Sequence, residues 1–238
     1  AALAAMLPGP PFADAIARDR GQAAINVDLC QQLDPASDPQ ITVALVDDDE
    51  RAFVTRRSGP ALPELTIDSI VGCGAAHIHI GELATLVETP QIISLAREAG
   101  ISVSLDCGWD ESLSARDIGT LISEVDVFLP NRIEARRLRE IGVPVPFAAL
   151  TVIKKGAAGA AVHQDGAVLE GPTQQLHAVD TTGAGDAFNA GFLSSWLAAE
   201  PLRDCLAAGN AQAGRAIRQR GGFQFERMEK AQPLSASE

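Results

Sequence analysis

Apolar and polar positions follow two different periods along this chain. Between residues 41 and 57 they alternate by twos. Ile41–Val46 (ITVALV) is a β-rich run, the acidic tetrad Asp47–Glu50 makes a turn, and Arg51–Arg57 (RAFVTRR) returns. That alternation predicts a half-exposed hairpin. From residue 70 the two periods interleave. Strands are expected at Ala76–Ile80, Ile101–Asp106, Val125–Leu129 and Leu150–Lys154, with helices at Gln91–Ala99, Ser114–Glu124 and about Arg132–Glu140. Gly100 and Gly142 stand where helix ends favour glycine. Ala158–His163 and Ala167–Glu170 flank Asp165-Gly166, a hairpin signal. The last third reads as helix, at about Ala184–Ala199 and Leu202–Arg220, and residues 1–20 as helical pieces interrupted by LPGPPF. Strands alternating with helices imply an α/β fold, a mostly parallel sheet covered on both faces. In such sheets ligands bind beyond the carboxyl ends of the strands.

Composition narrows the classes. The 238 residues suit one domain, and 46% hydrophobic residues supply a core built on Ala, Leu, Ile and Val, since aromatics are only 4%. The net charge of -12 argues against nucleic acid or an anionic membrane as partner. Cys30, Cys73, Cys107 and Cys205 show no C-x-x-C spacing, so reduced thiols and a cytoplasmic location are expected. No apolar run approaches the ~18 residues of a membrane span. The start, AALAAMLPGPPF, lacks the charged region of a signal peptide.

The chemistry concentrates in Asp180-Thr181-Thr182-Gly183-Ala184-Gly185-Asp186-Ala187-Phe188. A glycine-rich turn runs straight into a helix, whose first N–H groups and dipole make an anion site. Asp186 in that turn reads either as a capping charge or as a base beside a phosphoryl acceptor. Asn131-Arg132-Ile133-Glu134 follows an apolar strand and has capping-box spacing. Lys154-Lys155-Gly156-Ala157-Ala158-Gly159 ends another strand and holds two of the three lysines of the chain. Strand alternation puts the two lysines on opposite faces, and Lys154 is the one expected at the site. His77 and His79 share a strand face without a third metal ligand at suggestive spacing, so buried or edge-strand histidines are expected. Cys107 has no activating base in view and reads as packing.

These motifs, in this order, resemble the PfkB/ribokinase family of small-molecule kinases. Residues 180–188 match its signature DTxGAGDxF at every fixed position. The resemblance implies a ribokinase-like domain over residues 1–238, with a small β lid at about 41–57 that closes over a sugar and mediates a homodimer. It implies ATP-dependent phosphorylation of a hydroxyl on a sugar or sugar-like molecule, with Mg2+ and in many relatives a monovalent cation such as K+. Asp186 becomes the catalytic base, and Gly183, Ala184 and Gly185 the anion hole. Asp180 and Thr182 fall where the monovalent cation is held. Asn131 falls near the phosphates, and Glu134 where water is ordered around Mg2+. Lys154, Gly156 and Gly159 border the nucleotide, Asn210 lies close to the adenine, and Asp106 faces the crevice in a supporting role. The family's opening strands and Gly-Gly turn have no counterpart before residue 70, so they are expected to be missing, with Ala1–Leu7 as the helix that follows that turn. An inactive nucleotide- or sugar-binding relative, or a kinase for a nucleoside or vitamin, are the alternatives. A dinucleotide-binding oxidoreductase ranks low, because Gly72-Cys73-Gly74 precedes a strand rather than a helix.

Overall fold

The chain opens extended, not helical. β1 (Met6–Leu7) pairs in parallel with β2 (Gln31–Gln32), and Ala2 bridges Asn26. The alanine-rich opening has high helix propensity, but propensity is a weak prior. Backbone bonds to a distant segment win here: Leu3 N to Asn26 O at 2.8 Å, Gln31 N to Ala5 O at 3.1 Å, and Leu33 N to Leu7 O at 2.8 Å. The helix expected in this region, α1, begins only past the prolines, at Ala13–Ala23. The computed structural model describes residues 1–222 except 24, 35–36, 39, 48–49, 57–58, 110–112 and 114–117.

The hairpin forms as β3 (Ile41–Asp47) and β4 (Glu50–Arg56), paired antiparallel from Ile41↔Arg56 to Asp47↔Glu50. The turn residues Asp48 and Asp49, and Arg57, lie outside the described residues. One cross-strand pair joins the hydroxyls of Thr42 and Thr55 at 3.0 Å. Val43 and Val54 face each other and stand 50% and 60% exposed.

The remainder alternates as the pattern requires. α2 (Ile67–Gly72) leads to β5 (His77–Ile80), then come α3 (Leu83–Glu88), α4 (Gln91–Ala99), β6 (Ser102–Leu105), α5 (Ile118–Ser123), β7 (Val127–Phe128), α6 (Arg132–Glu140) and β8 (Leu150–Lys154). β9 (Ala160–Gln164) and β10 (Ala167–Gly171) form a second hairpin, and α7 (Ala184–Leu197) and α8 (Leu202–Ala216) follow. The expected start of α5 at Ser114–Asp117 lies outside the described residues. α8 ends before Arg220, because Val179 N and Asp180 N take the carbonyl of Ile217 at 2.8 and 3.3 Å and the chain turns there.

Six strands make the central sheet in the order β10-β9-β8-β7-β6-β5, with β5 to β8 parallel and β9 and β10 antiparallel. Alternation splits its side chains between two cores. Ile80, Val103, Leu105, Phe128 and Ile153 pack under α3 to α6, with Leu83, Leu86, Ile93 and Leu138. Val127, Leu129, Leu150, Val152 and Val162 pack under α7 and α8, with Phe188, Phe192, Cys205 and Leu206. β5 is one edge of the sheet, and a cleft of about 800 Å³ separates it from residues 1–4.

Candidate active site

The parity that sends Val103, Leu105 and Ile153 to one core sends Ser104, Asp106, Val152 and Lys154 to the other face, toward α7. Asp106 lies just past the carboxyl end of β6, and Lys154 ends β8. They meet across β7: Lys154 Nζ donates to Asp106 Oδ1 at 2.9 Å and Oδ2 at 2.8 Å. Both side chains are 12% exposed. Lys155, on the opposite parity, bonds instead to Glu170 of β10 at 2.5 Å. Of the two lysines, Lys154 lines the pocket at the strand ends and Lys155 does not.

A residue that the sequence reading passed over completes this network. Asn189, 1% exposed in α7, donates from Nδ2 to Asp106 Oδ2 at 2.5 Å and accepts from Lys154 Nζ at 3.1 Å. Its visible signal was a lone amide in the apolar stretch Ala187–Phe192, one turn past Asp186.

Above this network sits the start of α7. Gly183 is its N-cap in a left-handed conformation, φ 75°, and a Cβ there would lie 2.8 Å from the carbonyl oxygen of Gly222. Only glycine fits such a turn without strain. The turn is tied down by Asp180, whose Oδ1 accepts from Thr182 N at 2.9 Å and Thr182 Oγ1 at 2.8 Å, and whose Oδ2 accepts from Gly221 N at 3.0 Å. Ala184 N donates to Thr181 O at 3.2 Å, whereas the amides of Gly185 and Asp186 have no backbone acceptor among the described residues. Of the amides expected to form an anion hole, those of Gly183 and Gly185 have no backbone acceptor among the described residues, while that of Ala184 is engaged by Thr181 O. Asp186 is exposed, and its carboxylate takes no hydrogen bond among the described residues.

Across the pocket, α6 begins with a complete capping box. Asn131 Oδ1 accepts from Ile133 N at 2.8 Å and Glu134 N at 3.0 Å, and Glu134 Oε2 accepts from Asn131 N at 2.6 Å. Glu134 Oε1 also accepts from Trp109 N at 3.4 Å. Burial pushes the Glu134 carboxyl above its ordinary range, and the Asn131 amide partly offsets this. The Oδ1 of Asn131 is thus spent on its own helix, and both Asn131 and Glu134 cap and still line the pocket.

One pocket of about 400 Å³ gathers Asp106, Asn131, Glu134, Lys154, Gly156 and Gly159 on the strand side with Ala184, Gly185, Asp186 and Asn210 on the helix side. Gly183, Asp180 and Thr182 form the loop behind it rather than its wall. Asn210 of α8 donates from Nδ2 to the carbonyls of Gly171 at 3.0 Å and Pro172 at 3.4 Å, so it holds the end of β10 as well as facing the pocket. Gly159 has φ 83°, and a Cβ on it would lie 2.1 Å from Gly171 O. The close approach of β9 and β10 accounts for this glycine independently of any ligand. Cys107 is fully buried and its thiol is pushed up by burial, which fits its packing role.

The two histidines form a ladder on the α7 face of the sheet. His77 Nδ1 pairs with Ser102 Oγ at 2.7 Å, His77 Nε2 with Ser104 Oγ at 2.7 Å, and His79 Nδ1 with Ser104 Oγ at 2.8 Å. Burial lowers His77 to about 4, with the neighbouring His79 adding to the shift and Asp126 opposing it. His79 is lowered too, mainly by burial, while Asp106 and Asp186 raise it and Lys154 lowers it further. No group of three or more His, Cys, Asp or Glu able to hold a metal occurs among the described residues. Among them, too, no helix is long and apolar enough to cross a membrane.

Residues 1–227 match the model of the pfkB family of carbohydrate kinases. The chain is 33% identical over 184 residues to an ATP-dependent ribose-1-phosphate kinase of Halopiger xanaduensis, and 31% identical over 195 residues to a 2-dehydro-3-deoxygalactonokinase of Haloferax volcanii. Each match covers 74% of this chain and 60% of the relative, so the chain spans about 60% of the length of these relatives. Among solved structures, a ribokinase-type protein from E. coli in complex with ATP and Mg2+ superposes with a TM-score of 0.74 at 17% identity, over 93% of this chain and 78% of that one. The fold is ribokinase-like, and the chain belongs to the pfkB family of carbohydrate kinases.

Proposed function

We propose that this pocket carries out ATP-dependent phosphoryl transfer to a hydroxyl of a sugar or sugar-like small molecule. The observation that carries the reading is the placement of Asp186. Its carboxylate, without a hydrogen-bond partner among the described residues, stands on the first turn of α7, beside amides that have no backbone acceptor among them and in the wall of the pocket that holds Lys154 and Glu134. As the acceptor oxygen bonds to the γ-phosphorus, the bond from that phosphorus to the bridging oxygen of ADP breaks. The hydroxyl proton passes to Asp186. The amides and dipole at the start of α7 stabilise the charge on the transferring group. Gly156 and Asn210 border the opening in which the nucleotide lies.

The donor set suits Mg2+ bound chiefly by the nucleotide. Glu134 is a single part-committed carboxylate, fitted to hold a metal-bound water, and magnesium characteristically keeps several waters. Such an ion neutralises phosphate charge. The carboxylate of Asp180 is committed to the Thr182 and Gly221 amides, so K+ here would rest on main-chain oxygens of the 180–182 loop.

The relatives named for phosphorylated ribose and for a deoxy keto-sugar acid support a sugar-type acceptor. The exposed Ile41, Val43, Leu45 and Val54 give the hairpin an apolar face that a second copy would cover, which supports a homodimer through the lid. The four free cysteines support a reducing, cytoplasmic setting. The test is ATP consumption with Mg2+ across a panel of sugars, keto-sugar acids and nucleosides. Turnover with one class of hydroxyl acceptor is expected. ATP binding without turnover of any acceptor would favour a nucleotide-binding relative without kinase activity.

A further inference from the structure

The floor of the pocket is a closed hydrogen-bond network of three side chains from three elements. Asp106 Oδ1 accepts from Cys107 N at 2.7 Å and from Lys154 Nζ, and Oδ2 accepts from Lys154 Nζ and Asn189 Nδ2. The ammonium has three protons, and Asp106 Oδ1, Asp106 Oδ2 and Asn189 Oδ1 offer three acceptors. Those three acceptors can take all three protons of Lys154. A buried ion pair gains little net stability over an apolar pair, but a fully satisfied one fixes geometry. What it fixes here is the start of α7. Asn189 lies one turn past Asp186, and a Cβ on Gly185 would be only 3.5 Å from Lys154 Nζ.

We propose that Asn189, through Asp106 and Lys154, is a positioning residue that registers the first turn of α7 against the ends of β6 and β8. Lys154 then acts as the post of this clamp rather than as a direct phosphate ligand. The inference rests on the phosphoryl-transfer reading of the pocket and adds to it how the base and its amides are aimed. A misplacement of about 1 Å at such a group is enough to cost on the order of 10²-fold in rate.

The experiment compares the unaltered chain with Asn189→Leu, Asn189→Ser, Lys154→Met, Asn189→Asp and the exchange Asp106→Asn/Asn189→Asp. It reads kcat, KM for ATP, the affinities for ATP and for adenosine, and amide exchange along α7. The clamp predicts that Asn189→Leu lowers kcat roughly 10–100-fold with KM for ATP within about threefold. It predicts faster exchange in the first turn of α7 than in its last. The exchange pair, which restores one carboxylate and one amide around the ammonium, recovers at least tenfold in kcat over Asn189→Asp alone. Asn189→Ser replaces the leucine variant if that one does not fold. Unchanged kcat in a variant that only melts earlier would reduce Asn189 to a structural part and overturn the proposal. A loss of tenfold or more in ATP affinity on Lys154→Met, with adenosine affinity unchanged, would make Lys154 a direct ligand and overturn it equally. If the unaltered chain turns over no acceptor, the kinase reading fails. The clamp is then judged by amide exchange and the ATP-to-adenosine comparison, and uniform exchange along α7 in Asn189→Leu would sink it.

Discussion

Replacing Asp186 by Asn separates the base from the cap. Asp186 is the third residue of α7, exposed, and without a hydrogen-bond partner among the described residues. Asn has nearly the same shape, so packing is untouched. The folded state loses only the attraction of a carboxylate for the helix dipole, about 0.3–1 kcal/mol at an exposed site. For a domain of this size that amounts to a melting shift of roughly 1–4 °C. Catalysis stands to lose far more, because an amide cannot take the hydroxyl proton. General-base removal costs roughly 10²–10⁴ in kcat, about 3–5 kcal/mol at 1.36 kcal/mol per decade. The two terms differ several-fold, so turnover and melting measured on the same preparation tell them apart. ATP affinity holds or improves, since a negative charge facing the phosphates is gone. His79 supplies a check that needs no turnover. Burial is the main cause of its lowered pKa, and Asp186 is one of the charges raising it, so in the Asn variant its NMR titration moves further down. Full turnover with a lowered melting point would refute the assignment of Asp186 as base.

Glu134→Gln keeps an oxygen for the Asn131 amide, so the start of α6 survives, while the Mg2+ concentration for half-maximal rate rises about 10-fold or more, as outer-shell substitutions do; an unchanged Mg2+ dependence would remove Glu134 from the metal's surroundings. Folded His77 sits near 4 against 6.5 when unfolded, so between those values the unfolded chain binds the extra proton, and stability falls as pH drops through that window. After allowance for its partial exposure this amounts to ~1–2 kcal/mol, measured as urea midpoints from pH 7 to 4, and His77→Gln flattens the slope. Gly159→Ala places a methyl 2.1 Å from Gly171 O at φ 83° and costs about 2–4 kcal/mol in chemical denaturation. Gly156→Ala, with nothing within 4 Å of its Cβ, costs about 1–2 kcal/mol from its left-handed backbone alone; equal losses would show that the β9–β10 contact is not what requires glycine at 159. Val54→Lys in the lid hairpin lowers the apparent mass by sedimentation if that apolar face joins two copies.

Most of the sheet could be read from the sequence, because each strand carries its own period and each crossover its own helix. The division of Lys154 from Lys155 followed from parity alone. The nine-residue turn before α7 was legible because glycine, carboxylate and helix start lie adjacent in the chain. What stayed hidden depends on partners far away. Asp106 and Lys154 are 48 positions apart, and Asp106 and Asn189 are 83 apart. No local pattern marks Asn189 as the amide that joins them. The extended opening was missed for the same reason, since Ala1–Leu7 takes its form from Asn26, Gln31 and Leu33. Asn131 and Glu134 carried two readings in the sequence, and the structure shows the capping box formed by residues that also line the pocket.

The division of the core between two faces bears on how the chain is made. Among the described residues, the face formed by Val127, Leu129, Leu150, Val152 and Val162 is covered by α7 and α8. During synthesis these strands emerge well before Phe188, Phe192 and Leu206. From Lys154 to Leu206 is roughly 50 residues, on the order of 3–10 s at common elongation rates. Until α7 and α8 are made, the aliphatic positions on this face of the nascent sheet lack their cover, and Asn189 joins the chain only well after Lys154. A pause placed in the codons between β10 and α8 would prolong this exposure. A nascent chain halted there keeps apolar surface exposed that Phe188, Phe192 and Leu206 cover in the folded chain.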